Sequence, residues 1–185
     1  MDRSNHYEAA FEAYLRASGV GFIAVDEARR TLLGDADVKS LDFIVVGPDS
    51  ARLVVDVKGR KFAPPRAVWH NWSTQEDVDG LARWATHLGP GYRGVLAFVY
   101  HLDATIELPA DTPDLFPFRD GRYLMRGVAV ADYQKHLRVR SPRWGTVHIP
   151  TAAFRRLVTP FSEFFTTETQ RTRREDKTDE SLNPV

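Results

Sequence analysis

Three residues early in the chain have the types and spacing that hydrolytic chemistry needs. Asp42 lies among Leu41, Phe43, Ile44, Val45 and Val46, while Asp56 and Lys58 end the run Leu53-Val54-Val55-Asp56-Val57-Lys58. A carboxylate inside an apolar strand must be paired, hydrogen-bonded or bound to a cation, because burying it alone is prohibitively costly. The turn residues Gly47-Pro48-Asp49-Ser50 separate the two runs, which predicts a hairpin over residues 41–58. Strand periodicity then puts Asp56 and Lys58 on one face. Two acids and an ammonium meeting at a sheet edge suit metal-assisted phosphodiester hydrolysis. The acids would hold Mg²⁺ or Mn²⁺, which polarises a phosphate and lowers the pKa of a bound water. The lysine would orient that water or offset charge building on the phosphorane. The competing reading is structural: a buried Asp–Lys ion pair, with the other Asp capping a turn.

Composition narrows the metal chemistry. The chain has 185 residues and no cysteine, so thiolate sites, disulfides and a cysteine nucleophile are excluded. Oxygen and imidazole ligands remain, which favours hard cations. Apolar residues make up 43% and charged residues 27%, ordinary for one globular domain. No apolar run reaches the roughly 20 residues of a membrane span, and the polar N-terminus is unlike a signal peptide. The expectation is a cytoplasmic protein with no membrane contact. Formal net charge is zero, which by itself argues against a dedicated nucleic-acid binder. The distribution is uneven, however. Residues 1–50 carry nine acids and five bases, residues 52–70 five bases and one acid, and residues 119–143 seven bases and two acids. The two basic stretches could form a local phosphate-binding face or a solvated surface.

The elements that must position these residues follow from periodicity. Residues 5–18 read as a helix, with Tyr7, Ala10, Phe11, Tyr14 and Leu15 on one side and Gly19 as its stop. Strands are expected at 20–25, 41–46, 53–57 and 94–100, and a helix over 74–88, capped by Ser73 or Thr74. Residues 27–40 read as a loop or short helix, 59–65 as a basic loop, and 103–121 as an excursion. Further elements are a strand over 122–130, a short helix over 131–137, a strand over 146–149, and a helix over 151–165 that Pro160 interrupts. Residues 166–185 hold almost no large apolar side chain and predict a disordered charged tail. The expected organisation is a single domain over 1–165 with an α/β fold.

At Asp42 and Asp56-Val57-Lys58 the chain resembles the PD-(D/E)XK nucleases, which include restriction enzymes and archaeal Holliday junction resolvases. Their pattern is an acid on one strand and acid-x-lysine on the next; here Leu41 stands in the nominal proline position. The likeness spans about residues 5–100 in element order. It implies a restriction-endonuclease-like core, with a mixed central sheet flanked by helices. It also implies cleavage of nucleic acid, DNA in preference to RNA, and pairing as a homodimer. The metal set it implies is Asp42, Asp56 and Val57, completed by Glu8, since resolvase-like members place a glutamate on the first helix. Glu12 lies one turn further on the same face. Glu8 has an equal structural reading as the partner of Asn5 in a capping box, and His6 reads as a solvent-facing first-turn residue. Arg60, Lys61, Trp69 and Trp72 follow the lysine strand and could grip a backbone and stack on an unpaired base, or simply anchor a loop. Ser73-x-x-Glu76 and Thr74-x-x-Asp77 read as caps, and Gln75 fits poorly as the helix glutamine that such nucleases often carry. The alternative function is an inactive module of this fold that binds nucleic acid or a protein. Residues 5–12 also resemble a bacterial family named for HYE-x-AFE, which implies no activity of its own.

Overall fold

Alternation along the central strands gives the sheet two apolar faces, and helices cover both. The computed structural model describes residues 5–25, 41–47 and 51–165. Helix α1 (His6–Ala17) begins at Asn5, whose side chain accepts a hydrogen bond from the Tyr7 N–H, and buries Ala10, Phe11, Tyr14 and Leu15. Those positions recur at helical spacing and define one stripe. Strands β1 (Gly21–Ala24), β2 (Phe43–Val46) and β3 (Arg52–Phe62) form an antiparallel meander. After the two-residue strand β4 (Ser73–Thr74), α2 (Gln75–Leu88) carries the chain over the sheet to β5 (Tyr92–Leu102), which runs parallel to β3. A parallel neighbour requires such a crossover.

Strand β7 (Gly121–Ala129) pairs antiparallel with β5 on one side. On its other side it pairs with β6 (Leu115–Phe118) and with β10 (Thr159–Pro160). The resulting mixed sheet has seven strands in the order β1-β2-β3-β5-β7-β10, with β6 also on β7. A separate three-stranded sheet, β4-β9-β8, is built from β8 (Arg138–Ser141) and β9 (Thr146–His148) together with β4. Helices α3 (Val130–His136) and α4 (Thr151–Leu157) lie between these late strands.

The α1 face of the large sheet packs Leu53, Val55 and Val57 of β3 with Phe11, Phe43, Met125, Phe161 and Phe165. The opposite face packs Val54 and Phe62 with Val78, Leu81, Leu96, Phe98, Tyr133 and Phe154. Alternation therefore sends Asp56, Lys58 and Arg60 to the α2 face and Gly59 to the α1 face. Gly59 is needed there: a β-carbon would overlap the Tyr7 ring, so the missing side chain lets α1 lie close against β3.

Several expectations are corrected. Residues 59–62, read as a basic loop, continue β3, because eleven successive residues pair in parallel with β5. The excursion at 103–121 contains β6, whose Pro117 is tolerated on an edge strand. The closing helix ends at Leu157, and the chain then forms β10 and a 3-10 turn at Phe161–Phe164. The readings of residues 27–40 and of the tail 166–185 lie outside the described residues. Among the described residues, no helix is long and apolar enough to cross a membrane.

Candidate active site

Asp42 sits one step before the last paired residues of the hairpin, Phe43 and Val55, and this register brings it opposite Asp56. Side chains directly opposite each other on antiparallel strands stand about 5 Å apart at their β-carbons. Asp42 is held there by the backbone. Its N–H donates to the Val55 carbonyl at 2.9 Å, and its Oδ2 accepts from the Val57 N–H at 2.6 Å. Burial pushes the Asp42 carboxyl up to about 7; the Asp56 carboxylate adds to the rise, the Val57 N–H opposes it, and the nearby Glu8 charge raises it further.

Lys58 lies between two carboxylates. Its Nζ is 2.5 Å from Asp56 Oδ2 and 2.6 Å from Asp77 Oδ2. Burial alone would lower its pKa, but the Asp56 and Asp77 charges outweigh that, and the ammonium is held above its usual range. It is therefore a charged donor and no proton acceptor.

The sequence reads Asp77 as a helix cap, and the structure adds a second role that this reading does not contain. It does close the capping box with Thr74: its N–H donates to Thr74 Oγ1 at 3.1 Å, and its Oδ2 accepts from the Thr74 N–H at 3.3 Å. The same Oδ2 accepts from Ser73 Oγ and from Lys58. The usable signal was topological. A crossover helix lies over the parallel strands it joins, here β3 and β5, so its first turn can reach a side chain on that face of β3.

Glu8 accepts from Asn5 Nδ2 at 2.6 Å, a side-chain version of the expected capping contact, and its charge also reaches Asp42. Glu12 pairs with Arg16 at 2.8 Å. His6 is exposed, and its Nδ1 lies 2.9 Å from Tyr123 Oη. Among the described residues, no three His, Asp or Glu side chains are grouped closely enough to enclose a metal ion. The donors that do converge are oxygens of Asp42 and Asp56. A strand residue presents its N–H and C=O to the same neighbour, so the Val57 carbonyl lies on the Asp42 side as well. Two desolvated, mutually repelling carboxylates with a backbone oxygen fit a hard divalent cation, because the cation would relieve the repulsion that drives Asp42 upward.

The residues named for nucleic-acid contact divide. Trp69 stacks on Phe62 at 4.1 Å and meets the Tyr100 ring edge-on at 4.8 Å, so it anchors the 63–72 loop to β3 and β5. Arg60 donates to the Gly59 and Trp72 carbonyls and stacks on the Trp72 ring at 4.0 Å. Lys61 is exposed on β3. Trp72 also carries the Arg140 guanidinium at 5.0 Å.

No family model and no curated protein matches the chain, so the likeness of residues 5–12 to the HYE-x-AFE family has no support from these comparisons. Among solved structures, the fold is similar to Hjc of Archaeoglobus fulgidus, a Holliday junction resolvase from an archaeal hyperthermophile. The TM-score is 0.52 at 13% identity, covering 87% of this chain and 98% of that one. At this identity the likeness speaks for architecture alone: the chain has a resolvase-like, restriction-endonuclease-like fold.

Proposed function

We propose that this protein is a metal-dependent nuclease that hydrolyses phosphodiester bonds of nucleic acid, DNA in preference to RNA. One observation carries the reading: Asp42 stands opposite Asp56, with Lys58 two residues on and all three at one end of the β2–β3 hairpin, Asp56 buried and the other two partly so. Asp42, Asp56 and the Val57 carbonyl would hold Mg²⁺ or Mn²⁺, with Glu8 as the further carboxylate once it leaves Asn5. The bound cation would supply a polarised phosphate and a water of lowered pKa. Lys58 meets the phosphate as a positive hydrogen-bond donor: two of its three N–H directions go to Asp56 and Asp77, and the third serves substrate or water. Asp77 fixes the lysine from the α2 side. The protein would act in the cytoplasm, and pairing as a homodimer would let it cut two strands.

The rival, a binding module without activity, draws on the two carboxylates that hold Lys58. One experiment separates them: melting with and without Mg²⁺ or Mn²⁺, alongside nicking of plasmid and branched DNA, for wild type, Asp56→Asn and Lys58→Ala. Metal should stabilise wild type and Lys58→Ala but not Asp56→Asn, and only wild type should cut. A wild type that neither responds to metal nor cuts would overturn the nuclease reading.

A further inference from the structure

From Tyr133 to Ser162 the chain contains no acidic residue, while it carries Lys135, Arg138, Arg140, Arg143, Arg155 and Arg156. On a chain of zero net charge, this is a concentrated positive segment. Part of it forms the free edge of the small sheet. Among the described residues, strand β8 pairs only with β9, and Arg138, Val139 and Arg140 are all exposed on it. The 3-10 turn that follows, Pro142–Trp144, lifts Trp144 into solvent, where its side chain is 69% exposed. The Arg143 guanidinium lies over that indole at 5.2 Å. Val139 on β8 is 64% exposed. An exposed tryptophan in the turn next to a strand edge would ordinarily be an aggregation liability. Three neighbouring arginines with no acid among them give it a different character.

This edge is joined to the candidate active site through the backbone. The β8–β9 pairing is irregular between Val139 and Ser141, and the Arg140 guanidinium lies on Trp72, which Arg60 of β3 also contacts. Bulges commonly re-aim side chains beside functional sites. Gly145, next to Trp144, accepts from the Gln75 N–H at 2.8 Å, so the turn is tied to the start of α2, the helix whose Asp77 holds Lys58. Arg60 itself lies two residues beyond Lys58 on the same strand face.

We propose that β8 and the turn after it grip nucleic acid that contains unpaired bases, with Arg138, Arg140 and Arg143 on phosphates and Trp144 stacked on a splayed base. The assignment rests on the nuclease reading for its purpose, but its chemistry is independent: guanidinium forks match phosphate oxygens, and an exposed indole offers a face to any base. A duplex keeps its bases stacked and would use only the arginines. Single-stranded, gapped or branched DNA would use the tryptophan as well.

The experiment measures binding without metal, by fluorescence anisotropy of labelled single-stranded, forked and flush duplex DNA across a salt series. Variants are Trp144→Ala and Arg138→Glu/Arg143→Glu, each with its melting temperature recorded. Trp144→Ala should weaken single-stranded and forked probes roughly five- to hundredfold and leave the duplex nearly unchanged. The double reversal should weaken all probes and reduce the salt slope by about 2. Variants that bind every probe as wild type does would overturn the grip, and so would a wild type that binds no nucleic acid or a patch that retains only a protein. If those unaltered variants also cut DNA with wild-type rates, the nuclease reading stands without this surface. If wild type binds through this surface yet never cuts, the grip stands and the nuclease reading falls.

Discussion

Asp42→Asn should make the metal-free protein more stable at neutral pH, which is unusual for a change at a buried polar residue. Asp42 accepts one backbone N–H, while its carboxylate is desolvated and faces those of Asp56 and Glu8. Its pKa rises from 3.8 to about 7. At about 1.4 kcal/mol per unit, ionising it in the folded state costs on the order of 4 kcal/mol. Asparagine keeps an acceptor for Val57 but loses the charge-assisted part of that bond and must place an amide, so a net gain of about 1–3 kcal/mol is expected. The sign follows from proton uptake. A raised folded pKa means the native state holds a proton that the unfolded chain has released, so wild-type stability falls as pH rises between roughly 4 and 7. The advantage of Asp42→Asn should therefore be full above that window and disappear below it. Urea denaturation in EDTA across this range gives the answer. If Asp42→Asn is no more stable than wild type at about pH 8, or its advantage persists unchanged at about pH 4, then Asp42 is not held as a repelled carboxylate.

Two further changes probe the same region. Asp77→Ala removes both the α2 capping box and one of the two carboxylates on Lys58. Lys58 keeps Asp56, so losing the cap and one charged hydrogen bond should cost about 2–4 kcal/mol by chemical denaturation; a loss below about 1 kcal/mol would reduce Asp77 to an ordinary cap. Gly59→Ala should cost about 1–3 kcal/mol by overpacking, because its β-carbon would overlap Tyr7. Tyr7→Ala in that background should recover part of the loss, and a Gly59→Ala protein as stable as wild type would show that α1 does not depend on this close approach.

The carboxylate pair was legible in the sequence because its setting is so apolar. Asp42 and Asp56 interrupt runs of Val, Ile, Leu and Phe, and a short turn brings those runs together. Helices α1 and α2 were legible for the same reason, since their buried positions recur every three or four residues. What escaped notice lacks such a period. Gly59-Arg60-Lys61 has no strand pattern, yet β5 provides a partner for every residue to Phe62. Strand β8 is almost wholly exposed and charged, so only its tertiary partner β9 defines it. Asp77 occupies a position where a cap explains the residue fully, and nothing local announces Lys58 nineteen residues earlier.

The mixed pairing of β3 bears on the order in which the molecule can assemble. Its antiparallel contact with β2 closes between Val46 and Arg52, whereas its parallel contact joins Arg52 to Tyr92. Closing the longer chain segment carries a larger entropic cost, and contacts of that kind slow folding. The carboxylates belong to the short-range hairpin, while the helix that locks Lys58 arrives only with the long-range crossover. The carboxylate pair and its compensating Lys58 can thus come together before Asp77 holds the ammonium from a second side. Residues 41–62 excised as a peptide would retain the motif and lose the contact that holds its lysine from the α2 side. Docking of α2 is what fixes that lysine in place.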